Sequence, residues 1–179
     1  MTQIGSVYAQ ALYDLAKEEN CSQTVLPQLQ ILDESFHQEP AFIRLLCAPN
    51  LSKQERCQIL DQSFRNTVHP YVLNFLKILT ERGYMRCFFD CCKAYGQIYN
   101  RDHDILEVKA LTAVALDPQQ KDKLTQKLAQ ITGKTIQLIN RTDPSCIGGV
   151  RLDYDGKRVD DTVAHRLDSV RALLKNTVL

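Results

Sequence analysis

The chain has 179 residues, with 22 Lys and Arg against 21 Asp and Glu, and 44% of its residues are hydrophobic. That is enough for one ordinary domain or two small ones, each with a core of its own, and the composition excludes a disordered chain. The net charge of +1 leaves no electrostatic footprint for nucleic acid, which shows as a basic face or a strongly basic domain.

Residues 2–104 read as consecutive helices, because apolar positions recur at spacings of three and four. Tyr8, Ala11, Leu12 and Leu15 form the first stripe. A second helix runs from Ser22 or Thr24 to His37 with Leu29, Leu32 and Phe36 in register, and Pro27 falls near its start. Pro40 opens a third that carries Phe42, Ile43 and Leu46, and Pro49 closes it. Ser52 followed by Glu55 is a capping box for a fourth helix that buries Ile59, Leu60 and Phe64. Pro70 begins a fifth with Val72, Phe75, Leu76 and Leu79 on one face, and Gly83 is its left-handed cap. The sixth spans about Met85 to His103. Short connections between six helices imply an antiparallel bundle.

At Ile105 the period changes to two. Leu106, Val108, Ala110, Thr112, Val114 and Leu116 make the apolar face of a strand. Asp117 and Pro118 supply the N-cap and first turn of a helix with Leu124, Leu128 and Ile131 on one side, ending at Gly133. Strands follow over Thr135 to Arg141 and Cys146 to Tyr154, with a short return through Val159 after an Asp155-Gly156 hairpin turn. Gly148 and Gly149 read as a bulge or a close backbone approach within a strand. A last helix starts near Asp161, capped by Asp160 or Asp161, with Val163, Leu167, Val170 and Leu174 in a row. The fold expected is therefore mainly α with a small α+β domain: an N-terminal six-helix antiparallel bundle over 1–104, and a C-terminal domain of a few strands and two helices over 105–179. The first half carries 10 basic and 12 acidic residues, the second 12 and 9, so only the second favours an acidic partner.

No pattern of side chains reads as catalytic. Seven cysteines, an odd count with Cys91 and Cys92 adjacent, argue against a disulfide framework. Cys87, Cys91 and Cys92 lack metal-ligand spacing and a nearby His, and Cys21, Cys47, Cys57 and Cys146 read as core. The four histidines lack a nucleophile and an orienting carboxylate. Gly148-Gly149 lacks the residues of a phosphate loop. Catalytic, cofactor and metal sites are thus all expected to be absent. No run reaches the roughly 20 apolar residues of a bilayer span, and the start Met1-Thr2-Gln3-Ile4-Gly5 is neither a secretory signal nor an Arg-rich transit peptide. A helical RNA-binding adaptor and a cysteine-based metal or redox sensor are the rival readings.

Three runs in register resemble one family. Tyr8-Ala9-x-Ala11-Leu12, then Asn74-Phe75-Leu76-x-x-Leu79 with Gly83, and Ile147-Gly148-Gly149 followed by Gly156, Asp160, Val163 and Leu167 are similar to the delta subunit of bacterial and chloroplast rotary ATP synthases. Its mitochondrial relative is the oligomycin-sensitivity-conferring protein. The resemblance covers almost the whole chain. Where the family has Asp-small-Ser-Val this chain has Asp160-Asp161-Thr162-Val163, and Ser6-Val7 stands where a basic residue often precedes the tyrosine.

The resemblance implies a non-catalytic stator subunit, present in one copy per complex, that ties the catalytic head to the peripheral stalk. It implies that the N-terminal helix of an alpha subunit lies between the first and fifth helices, at Tyr8, Ala11, Leu12, Leu15, Asn74, Phe75, Ile78 and Leu79, with Tyr8 and Phe75 as anchors. It implies that the smaller domain engages the b subunits, at Ile147, Gly148, Gly149, Val163, Leu167 and Val170. The location expected is the cytoplasmic face of a bacterial inner membrane, reached through the complex without insertion.

Overall fold

Six α-helices precede the first strand among the described residues, which in this computed structural model are 3–48 and 50–177, with side chains described to residue 171. They are α1 (Gln3–Glu18), α2 (Ser22–Gln38), α3 (Pro40–Leu46), α4 (Lys53–Phe64), α5 (Pro70–Arg82) and α6 (Phe88–Asp102). Pro49 and the start Met1-Thr2 lie outside the described residues. The chain divides into two compact units, Met1–Tyr99 and Asn100–Leu179.

Local chemistry sets most of the helix ends. The Ser52 hydroxyl accepts from the Glu55 N–H at 3.2 Å while the Glu55 carboxylate accepts from the Ser52 N–H at 2.7 Å, which satisfies two of the first-turn donors of α4. Those bonds hold the Glu55 carboxyl below its usual range. Pro70 occupies the first turn of α5, and Gly83, at φ 76°, caps its end. Pro27 is inside α2, near its start. The sixth helix does not begin at Met85: Met85–Cys87 is a 3₁₀ turn, and α6 follows from Phe88. The core of this unit joins all these elements, with Phe36 stacked on Phe42 at 5.5 Å and set edge-on to Phe88 at 5.0 Å. Tyr13 of α1 meets Tyr95 of α6 at 5.4 Å in the same way.

The second unit holds a four-stranded sheet in the order β2-β1-β3-β4, with β1 (Ile105–Thr112), β2 (Thr135–Thr142), β3 (Val150–Tyr154) and β4 (Lys157–Asp160). β1 and β2 run parallel, joined through α7 (Pro118–Thr132), while β3 and β4 add antiparallel. Asp117 and Gln120 form the capping box of α7, and Gly133 at φ 69° ends it. Val108, Ala110 and Thr112 are buried on one face of β1, and the register sets Leu138 and Asn140 of β2 beside the first two. Asp155 and Gly156, both at positive φ, make the β3–β4 turn. α8 (Val163–Thr177) closes the chain.

The fold corrects several sequence expectations. β1 stops at Thr112 and does not reach Leu116: Asn140 donates to the Ala110 carbonyl and to the Thr112 hydroxyl, and accepts from the Leu116 N–H at 2.9 Å. That long-range clamp turns the chain away from the sheet and leaves Val114 exposed. Ile131 does not share the buried side of α7, being 81% exposed. Cys146 to Gly149 is not strand. Pro144–Cys146 is a 3₁₀ turn, and Gly148 and Gly149 lead from it into β3, with Gly149 in a close backbone approach to Asp161 and not in a bulge. α8 begins at Val163, and its first-turn donor from His165 goes to the Thr162 hydroxyl, so Thr162 is the cap. Asp160 acts one step back, accepting from both the Thr162 N–H and hydroxyl.

Two glycines test this account. A Cβ on Gly133 would meet nothing within 4 Å, whereas one on Gly149 would lie 2.3 Å from the Asp161 carbonyl oxygen, and both have positive φ. Urea unfolding of the intact chain should therefore show Gly133→Ala losing about 1 kcal/mol and Gly149→Ala clearly more.

Candidate functional site

α1 carries two apolar faces, roughly opposite each other on the helix. Gly5, Ala9, Leu12, Tyr13 and Ala16 point into the core, and the small residues among them let the helix sit deep in the bundle. The other face, Ile4, Val7, Ala11 and Leu15, stays in solvent, with Val7 64% exposed. Spacings of three, four and four make this outer row a continuous helical stripe. α1 packs against α5, and the Tyr8 ring lies 6.0 Å from Tyr84, just past the cap of α5.

The eight residues assigned to this region separate by burial. Leu12, Phe75 and Leu79 belong to the core, each no more than 5% exposed. Tyr8 is half-buried, while Ala11, Leu15, Asn74 and Ile78 are exposed. Ile4 and Val7 escaped the sequence reading, although their spacing to Ala11 and Leu15 was a signal. Periodicity finds stripes, and α1 has two.

A second exposed apolar row lies on α8. Val163, Leu167 and Val170 stand on one side of the helix at 38%, 58% and 54% exposure. The Leu174 side chain lies outside the described ones. The 3₁₀ turn over Pro144–Cys146 packs against α8, and the Val163 N–H donates to the Gly148 carbonyl at 3.0 Å. Ile147, 65% exposed, projects from the same junction.

Hydrogen bonds from Ser145 hold Asp143 below the usual carboxylate range, and bonds from Thr162 do the same for Asp160. Arg151 adds a smaller pull on both. It pairs with Asp160 across the β3–β4 ladder and lies 3.6 Å from the Asp153 carboxylate, which also accepts from Arg158 at 2.6 Å.

Elsewhere the polar groups satisfy one another. An open recess of ≈ 650 Å³ between α4 and α5 is lined by Lys53, Cys57, Asp61, Glu81 and Arg82 among others. There Lys77 pairs with Asp61 at 2.7 Å, and the Cys57 thiol donates to Glu81 at 3.7 Å. Cys57 is thus half-buried beside charges, not a core residue; Cys21 and Cys47 are half-buried against the core, and Cys146 is buried. Among the described residues no group of three or more His, Cys, Asp or Glu is placed to hold a metal ion. Burial pushes the Cys91 thiol up to about 12 and raises Cys92 as well, the reverse of what a reactive sensor thiol needs. No helix among the described residues is long and apolar enough to cross a membrane.

Comparison with known proteins gives these surfaces a context. A family model described as ATP synthase delta (OSCP) subunit matches residues 4–174. The ATP synthase subunit delta of Alkaliphilus oremlandii is 32% identical over 172 residues, 96% of each chain. That of Lacticaseibacillus casei is 32% identical over 168 residues, covering 93% of this chain and 92% of the relative. The fold is similar to that of a chain in the mitochondrial ATP synthase hexamer of Toxoplasma gondii, with a TM-score of 0.76 and 22% identity over 97% of this chain and 98% of that one.

The thiols give a direct check. From an ordinary 9.0 to about 12, the rise at Cys91 cuts its thiolate fraction near neutral pH roughly a thousandfold, and alkylation in the native chain should slow accordingly against the urea-unfolded chain. Because the folded value is the higher one, the stability it contributes is complete below about 9 and is lost as pH rises toward about 12. Cys91→Ala should flatten that decline in urea titrations.

Proposed function

This chain belongs to the ATP synthase delta (OSCP) subunit family, and from that premise we propose that it joins the catalytic head of a proton-translocating ATP synthase to the membrane-anchored peripheral stalk. Its relatives are named as ATP synthase subunits delta, and this chain takes a non-catalytic part in ATP synthesis and proton transport. On this reading the protein works by resisting torque. A head free to turn with the rotor would dissipate the proton gradient without making ATP, and a static link between head and membrane sector prevents that.

Residues 1–104, read as an antiparallel six-helix bundle, receive the N-terminal helix of an alpha subunit. The observation that carries this assignment is the outer stripe of α1, Ile4, Val7, Ala11 and Leu15, standing in solvent while a separate face of the same helix fills the core. Tyr8, one turn from Ile4 and Ala11, borders it, and Ile78 and Asn74 of α5 are exposed as well. Such a row fits a helix laid alongside, with Ala11 allowing close approach and the larger aliphatics giving grip. Covering side chains of this size contributes roughly 1–2 kcal/mol apiece when they start partly exposed. Phe75, being core, supports the wall of this site from behind and does not touch the partner.

Residues 105–179 engage the b subunits through Ile147, Gly148, Gly149, Val163, Leu167 and Val170. Gly148 and Gly149 act by letting the chain pass close under α8. One copy serves each complex, on the cytoplasmic face of a bacterial inner membrane and held there through its partners. A near-neutral chain with raised thiol pKa values gives no support to RNA binding or to redox sensing.

The test is a titration of the full chain with a peptide of the alpha-subunit N-terminal helix. Saturable binding that varies little with salt is expected, and steep salt dependence or no binding overturns the assignment. Val7→Asp, on an exposed position, should leave the unfolding free energy within about 0.5 kcal/mol while weakening the peptide at least about tenfold. Membranes carrying it should hydrolyse ATP at the normal rate but pump protons poorly. Phe75→Asp should instead unfold the helical unit, because it buries a charge in the core.

A further inference from the structure

The two halves of α4 are held by different forces. The second half is anchored in the core: Leu60 is fully buried, Ile59 and Phe64 pack against the same cluster, and the Phe64 ring meets Phe42 at 5.7 Å and Phe36 at 6.1 Å. The first half, from Lys53 to Gln58, contributes no residue to that core. Lys53, Gln54, Glu55 and Gln58 are exposed, and Arg56 and Cys57 are half-buried. α5, of similar length, buries six of its thirteen residues, spread from its first turn to its last.

What holds the first half down is polar. The Arg56 guanidinium donates to the Leu46 carbonyl of α3 at 3.1 Å, and the Cys57 thiol donates to the Glu81 carboxylate of α5 at 3.7 Å. Nearer the anchored end Lys77 pairs with Asp61 at 2.7 Å, with both side chains partly in solvent, where such a pair adds little. The capping box of Ser52 and Glu55 orders the first turn but ties it to nothing outside α4. Beneath this half lies the open recess, with Lys53, Gln54, Cys57 and Gln58 on one wall and Glu81 and Arg82 on the other.

A local opening costs what it breaks and what it exposes. Lifting the first half of α4 gives up a few hydrogen bonds and uncovers almost no apolar surface, whereas moving α5 uncovers the core. Two helical turns without an apolar face gain little from tertiary packing, and packing supplies most of a helix's stability in a folded protein.

We infer that residues 53–58 are a flap, which opens and recloses about the anchored end of α4 while the rest of the helical unit stays folded. Closed, the flap holds the Cys57 thiol against Glu81. Open, it widens the recess into a cleft and bares that thiol, so the reactivity of Cys57 is set by the flap and not by unfolding of the bundle. α1 and the outer residues of α5 keep their places in both states, and the device stands apart from the choice of partners proposed above.

Hydrogen exchange of the full chain in low urea tests it. Protection of the Cys57 and Gln58 amides should be at least about a hundredfold below that of Asn74 and Phe75, which hold the same positions in α5. Between 0 and about 1 M urea the flap amides should change less than about twofold, because little surface is exposed, while those of α5 lose at least about fivefold in protection. Tyr13→Leu, which removes ring contacts to Tyr95 and Tyr99, should speed exchange in α5 and leave the flap unchanged. Arg56→Gln should speed both the flap amides and alkylation of Cys57 by iodoacetamide about fivefold. The flap is overturned if its amides follow those of α5 in urea or in Tyr13→Leu, since the half-helix then opens only with the whole unit. Unchanged alkylation of Cys57 in Arg56→Gln overturns it as well, because the exchange then reports a motion that does not uncover the recess.

Discussion

A helix has one circumference to divide between core and solvent, and the way α1 divides its own is the constraint on which the helical unit depends. Gly5, Ala9 and Ala16 give the inner face little bulk, so α1 can bury Leu12 and Tyr13 deeply while its outer aliphatics remain in solvent. Larger residues on the inner face would lift the helix and spread the aromatic contacts of Tyr13 with Tyr95 and Tyr99. Smaller ones on the outer face would leave nothing for another helix to hold. The core and the solvent-exposed apolar stripe are thus written on different residues of the same sixteen-residue element.

The second unit solves the same problem without a spare helix face. Its sheet is covered on one side by α7, and its exposed aliphatic row begins where the 3₁₀ turn, the two glycines and the first turn of α8 converge. Backbone hydrogen bonds accepted by the carbonyls of Thr112, Gly148 and Val150 tie these segments to one another. Arg151, set among Asp143, Asp153 and Asp160, adds charge to the same knot. A link that carries torque is served by such cross-bracing, because a loaded loop held only at its ends would yield before the partner released.

Much of the fold was legible in the sequence for a local reason. The capping boxes at Ser52 and Asp117, the prolines at 40, 70 and 118, the terminal glycines at 83 and 133 and the Asp155-Gly156 turn all act within a few residues of themselves. The candidate surfaces were only half legible. Tyr8, Ala11, Leu15, Asn74 and Ile78 reach solvent in the fold, but Leu12, Phe75 and Leu79 are core because a periodic stripe does not reveal its direction, and the exposure of Ile4 and Val7 went unread for the same reason.

What the sequence determined by itself was the inventory: six helices, a change of period at Ile105, strands with a helix between the first two, and their punctuation. Helix caps, proline φ and glycine's left-handed freedom are short-range physics, and the chain states them directly. The tertiary structure alone decided which apolar stripe of α1 turns inward, where β1 ends, and how the first half of α4 is held. Those outcomes depend on burial and on contacts such as Asn140 with Ala110, separated by 30 positions. Only the folded chain brings such groups within reach of each other.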